Sequence, residues 1–164
     1  MRRLVGDPWF YPVLFAASGI FFAVWGTVNR NLAVIASSLV LLSFALRSLR
    51  ATRVRSRPLA GAEAHVAAGG VVVFWRPGCQ YCMTLIKALT PAERAAASWV
   101  NIWTDAEAAA ALRRLHARRE GREHEAVPTV WARKKDFIVA DDASRARLKD
   151  MLRAATPAQE GSAR

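Results

Sequence analysis

Acidic residues are scarce in this chain, and cysteine is scarcer still. Thirteen Asp and Glu stand against 24 Lys and Arg, and two cysteines serve 164 residues. Residues 1–60 hold eight Arg and one Asp, a balance of +7, while residues 61–164 hold sixteen Lys and Arg against twelve Asp and Glu, +4. The positive charge thus flanks apolar segments instead of clustering with aromatics on one folded surface, which argues against a nucleic-acid partner. With only three histidines, a zinc site lacks ligands: His116 and His124 match no common spacing, and both, like His65, read as surface residues. No internal repeat is visible.

Charge is missing altogether from two early stretches, which account for much of the mean hydropathy of +0.11. Trp9 to Val28 is long enough to cross a hydrocarbon core of about 30 Å as a helix. Aromatic rings at 9–11 and at Trp25 suit the two headgroup regions. Leu32 to Leu46, extended to Leu49 with Arg47 snorkelling, reads as the return leg after a break at Asn29-Arg30-Asn31. A cleaved secretory signal fits poorly, because the first run exceeds the usual apolar length, no Ala-x-Ala site closes it, and a second apolar run follows. Soluble core helices would show an amphipathic stripe, yet both segments are apolar all round, with small residues such as Ser18, Gly19, Ser37 and Ser38. Residues 1–49 therefore read as a membrane hairpin spanning at 9–28 and 32–49. Arg2 and Arg3 precede it and Arg47, Arg50, Arg53, Arg55 and Arg57 follow, with only Arg30 between, so the positive-inside rule puts both termini in the cytoplasm.

Residues 50–69 read as a basic linker, with one short helix at 59–68 and Gly69-Gly70 at its end. Strands then alternate with helices. The sequence predicts strands at 71–75, 98–103, 129–132 and 137–139. Helices are predicted at 81–89, 105–119 (N-capped by Thr104 or Asp105) and 144–155. Thr90-Pro91 stops the first of these or caps a short turn, and Trp99, Trp103 and Trp131 read as packing residues. The domain runs over 70–155 and a disordered tail over 156–164.

The two cysteines lie in Val71-Val72-Val73-Phe74-Trp75-Arg76-Pro77-Gly78-Cys79-Gln80-Tyr81-Cys82. A buried strand, a turn and a helix start put Cys79 where unpaired N–H groups and the helix dipole stabilise a thiolate, the nucleophilic form. Arg76 adds positive charge, and Cys82 lies one turn in, on the same face. A structural disulfide here would constrain little chain, and a metal site would need further ligands. Cys-x-x-Cys at a strand–helix junction points to redox chemistry.

Cys79-Gln80-Tyr81-Cys82 followed by Val127-Pro128-Thr129-Val130 resembles the glutaredoxin family, and within it the actinobacterial mycoredoxins. The resemblance covers residues 70–155. It implies an α/β, thioredoxin-like fold: a four-stranded mixed sheet with flanking helices, here preceded by the transmembrane hairpin. It implies Cys79 as the attacking and Cys82 as the resolving cysteine, with Tyr81 beside a thiol-binding groove. Arg76, Val127, Pro128 and Thr129 would complete the substrate site, with a cis bond at Val127–Pro128 offering its backbone to the incoming thiol or peptide. No bound cofactor or metal is implied; the co-substrate is a low-molecular-weight thiol, mycothiol or glutathione. Protein mixed disulfides and the lipid bilayer are the implied partners, and the implied location is the cytoplasmic face of the cell membrane. Arg133, Lys134 and Lys135 replace the Gly-Gly pair and Asp that glutaredoxins usually carry soon after the proline motif, while Asp141-Asp142 come later. A thioredoxin-like dithiol reductase, favoured by Trp75, and an iron–sulfur or metal module using the same cysteines are the alternatives.

Overall fold

The computed structural model describes residues 7–118, 125–133 and 135–160. The chain divides into two compact units, Met1–Arg53 and Val54–Arg164.

In the first unit, α1 (Phe10–Val28) and α2 (Leu32–Ser48) form a hairpin, followed by a 3-10 turn over Leu49–Arg53. Helix α1, and α2 taken together with the turn to Arg53, are long and apolar enough to cross a membrane. The turn between them is set by Arg30 at φ 51° and by Asn31, whose side chain accepts from the N–H groups of Ala33 and Val34 and so caps α2. Small residues let the helices close up: a Cβ on Gly19 would sit 2.9 Å from the Leu42 side chain. Ser38 is buried, and Phe15 meets Phe44 at 5.7 Å between ring centroids. Valine, leucine and phenylalanine cover the outward faces, leaving large apolar side chains exposed along both helices.

The second unit is built on a four-stranded mixed sheet in the order β2-β1-β3-β4. Strand β1 (Val71–Trp75) lies in the middle, parallel to β2 (Ala97–Asn101) and antiparallel to β3 (Thr129–Ala132); β4 (Lys135–Ile138) pairs antiparallel with β3. All five β1 residues are buried, as expected of a continuous β-branched run covered on both faces. The helices are α3 (Leu59–Ala67), α4 (Gln80–Ala88), α5 (Pro91–Ala96), α6 (Ala106–Ala117) and α7 (Asp142–Glu160). Leu85 and Ile86 of α4, Leu112 of α6 and Leu148 and Leu152 of α7 are fully buried. This is the thioredoxin-like arrangement that the resemblance implied.

Several local expectations shift. The short turn after Thr90 is a helix, α5, held by a capping box in which the Thr90 hydroxyl accepts from the Glu93 N–H and the Glu93 carboxylate accepts from the Thr90 N–H. Strand β2 stops at Asn101 because the Asn101 side chain turns back to accept the Trp103 N–H at 2.9 Å. Helix α7 starts at Asp142 and continues to Glu160, through part of the segment expected as a tail; residues 161–164 lie outside the described residues.

The segment read as a linker folds with the sheet from Val54 onward. Ser56 forms a parallel bridge to Trp99, the Arg57 N–H donates to the Trp99 carbonyl at 2.7 Å, and Trp75 Nε1 donates to the Ser56 hydroxyl. Leu59, Ala62 and Val66 of α3 are buried. Asp105 caps two helices at once, accepting the Leu59 N–H with one carboxylate oxygen and the Ala108 N–H with the other. His65, expected on a surface, is half-buried beneath Gly70, where a Cβ would fall 2.2 Å from its Nε2. Burial, and then the Arg57 guanidinium, pull its pKa below the usual histidine value.

Candidate active site

The site lies where β1 hands over to α4. Gly78, at φ +77°, makes the left-handed turn that a side chain would strain, and Cys79 follows as the N-cap of α4. Its sulfur accepts from the Cys82 N–H at 3.4 Å, one of the N–H groups left unpaired at a helix start. As a thiol, Cys79 donates to the Val127 carbonyl, also at 3.4 Å. The two cysteines are free and differ in access: Cys79 is partly exposed, while Cys82 is 0% exposed.

Their acidities diverge for the same reason. A hydrogen bond from the Cys82 thiol, assisted by the N–H groups of Cys82 and Tyr81 and by the charge of Arg76, outweighs burial and brings the Cys79 pKa down to about 6. Burial pushes Cys82 strongly up, and its hydrogen bond to Cys79 and the neighbouring thiolate push it further the same way. A nucleophile is therefore ionised at neutral pH above a thiol that keeps its proton. The Arg76 guanidinium is held 5.3 Å from the Trp103 ring centroid, a cation–π contact that fixes it at the rim.

The Val127–Pro128 bond is cis, and the loop around it is anchored on both sides. The Val139 N–H donates to the Pro128 carbonyl at 2.9 Å, and the Thr129 hydroxyl donates to the Ala126 carbonyl at 2.8 Å. Thr129 itself is 0% exposed. Its side chain faces the interior, with the hydroxyl between the Ala126 carbonyl and His116. Val127 and Pro128 are buried in the free protein, with the Val127 carbonyl turned to Cys79.

Tyr81 is 54% exposed and borders a groove of about 260 Å³, lined also by Gln80, Thr84, Leu85, Val139, Ala140 and Arg145. Its far wall is the entry to α7. There Asp141 accepts the Ser144 N–H at 2.8 Å, and the Ser144 hydroxyl accepts the N–H groups of Ala140 and Asp141. Arg145 pairs with Asp142. The sequence marked Asp141 and Asp142 only as coming later than the usual Asp; after the β3–β4 hairpin the chain brings Val139, Ala140 and Arg145 to the groove beside Tyr81. The Asp-x-x-Ser cap at the start of a helix was the signal available. Arg133 and Lys135 stand at the hairpin turn and do not line the groove; Lys134 lies outside the described residues.

His116 is not a surface residue: it is 1% exposed, with Nε2 at 3.1 Å from the Thr129 hydroxyl. His124, also expected on a surface, and Arg2 and Arg3 lie outside the described residues. Among the described residues no three His, Cys, Asp or Glu side chains converge.

Residues 71–138 match the family model described as Glutaredoxin. No curated protein and no solved structure matches the chain. The match spans β1, the cysteine turn, the cis-proline loop and β4, and it supports thiol–disulfide oxidoreductase chemistry in general. Residues 71–138 are thus similar to a glutaredoxin domain, carried on a thioredoxin-like fold.

Proposed function

We propose that this protein is a membrane-anchored thiol–disulfide oxidoreductase of the glutaredoxin and mycoredoxin type, which reduces protein mixed disulfides with a low-molecular-weight thiol. The observation that carries the reading is the split between the cysteines: an accessible Cys79 with a pKa of about 6 over a fully buried, protonated Cys82. The Cys79 thiolate attacks the small-thiol sulfur of a mixed disulfide. The protein substrate leaves as thiolate and takes a proton, while Cys79 holds the small thiol as a disulfide. A second small-thiol thiolate attacks that adduct, forming the symmetrical disulfide and releasing the Cys79 thiolate. The groove beside Tyr81, near the lower end (about 300 Å³) of small-molecule sites, suits the small thiol. The co-substrate is mycothiol or glutathione, and measuring reduction of the Cys79 adduct by each separates them.

Cys82→Ser tests the cycle. Retained turnover of a peptide mixed disulfide is expected, and loss of that turnover would favour the dithiol route, in which Cys82 attacks the adduct. The Cys82 N–H contact to Cys79 keeps the resolving thiol close enough for that second reading.

The anchor rests on the two apolar helical segments, most of whose side chains are left uncovered. Soluble core helices would be mostly covered. The arginines after α2 favour a cytoplasmic domain. Sedimentation with membranes after alkaline carbonate washing checks the anchor, and protection of Cys79 from a membrane-impermeant maleimide in intact cells checks the side.

A further inference from the structure

Among the buried polar groups that the glutaredoxin chemistry leaves without a role is His116 of α6. It points at Thr129, and Thr129 points at the loop that faces Cys79. The single Thr129 hydroxyl proton goes to the Ala126 carbonyl at 2.8 Å, so at 3.1 Å it is His116 Nε2 that donates to the hydroxyl oxygen. Both side chains are all but sealed from water, so neither contact is traded for a solvent one. The next carbonyl along, that of Val127, accepts the Cys79 thiol at 3.4 Å.

We propose that His116, acting through Thr129, is a positioning residue that fixes the Ala126–Pro128 loop and so aims the Val127 backbone at Cys79 and at the incoming disulfide. The inference rests on the proposed oxidoreductase reading. Pro128 is held from the opposite side by the Val139 N–H, so the His116–Thr129 pair supplies the second of two anchors. Val127, between them, makes no N–H hydrogen bond among the described residues and can pair with an extended substrate. Loss of one anchor loosens the docking edge and leaves the cysteines in place. The Val127 oxygen also accepts the Cys79 S–H and sets its negative end beside the sulfur, both of which favour the thiol. A loosened loop lets that oxygen withdraw, so the Cys79 pKa falls.

The test uses the full chain in detergent micelles. Two readouts are taken: turnover of the mycothiol and glutathione mixed disulfides of one peptide, and the pH profile of Cys79 alkylation by iodoacetamide. Thr129→Val and His116→Leu should each raise KM about tenfold with kcat within about twofold, and lower the alkylation midpoint by about half a unit. His116→Gln, whose amide can still donate to Thr129, should restore both values, and the double variant should be no worse than Thr129→Val alone. Unchanged KM and midpoint in folded Thr129→Val would overturn the proposal, as would a His116→Gln protein that behaves like Thr129→Val. If His116→Leu fails to fold, those two variants decide. If the wild type turns over neither disulfide, the oxidoreductase reading fails, and an unchanged midpoint in Thr129→Val still overturns the positioning role.

Discussion

With a pKa of about 6, Cys79 is about nine-tenths thiolate at pH 7, against roughly 3% for a free cysteine near 8.5. That thirty-fold excess does not translate directly into rate. Nucleophilicity falls with basicity at a Brønsted slope of about 0.45, so 2.5 units of pKa make each thiolate about thirteen-fold less reactive. The net advantage in alkylation at pH 7 is then only about two-fold. At pH 5.5 the thiolate excess is about 240-fold and the net advantage about eighteen-fold, while above pH 8 the free thiol is faster. Rates of iodoacetamide alkylation should therefore be followed from pH 4.5 to 9, where Cys82 stays silent because it is buried and protonated. Removing the largest cause, by Cys82→Ala, should raise the midpoint by about one unit. Arg76→Gln removes the weakest and should raise it by about a few tenths. A wild-type midpoint near 8, or a larger shift for Arg76→Gln than for Cys82→Ala, would refute the account of what stabilises this thiolate.

A depressed cysteine pKa also links stability to pH. Between about pH 6 and 8.5 the unfolded chain holds the Cys79 proton that the folded protein has released, so stability should rise with pH across this window. It should be lost as pH falls through 6, and urea unfolding of Cys79→Ser should lack this slope. Asp105→Ala uncaps two helix starts and should cost about 1–2 kcal/mol in the same assay; a change within about 0.5 kcal/mol would mean that water replaces both contacts.

What could be read from the sequence was what is local. Val71–Trp75 is a run of apolar residues whose neighbours hardly matter to its reading, and Cys79 announces itself by its place between a turn and a helix. Asp105 caps α6 as its type and position implied. The parts that were missed depend on contacts between distant segments. Nothing around Ser56 marks it as a bridge to Trp99, because a single parallel pairing carries no periodicity. The groove gathers Tyr81, Val139 and Arg145 from separate elements, and only the β3–β4 hairpin makes them neighbours. His116 is the instructive case, because a signal did exist. It follows Leu112 by four residues and Ala108 by eight, on the buried face of α6, so helical spacing alone placed it inside.

The bridge at Ser56 has a practical consequence for the sheet. A strand at the rim of a sheet offers unpaired backbone groups to any passing chain. Here the polypeptide arriving at the domain lies along the outer side of β2, occupies the Trp99 carbonyl, and continues into α3, which covers part of the core. A fragment trimmed to begin at residue 70 would look complete by its motifs, yet it would bare that rim and leave the Trp75 indole without Ser56. Such a fragment should self-associate, and one that begins at Val54 should stay monomeric in light scattering. The approach to the domain thus serves as a guard strand against aggregation.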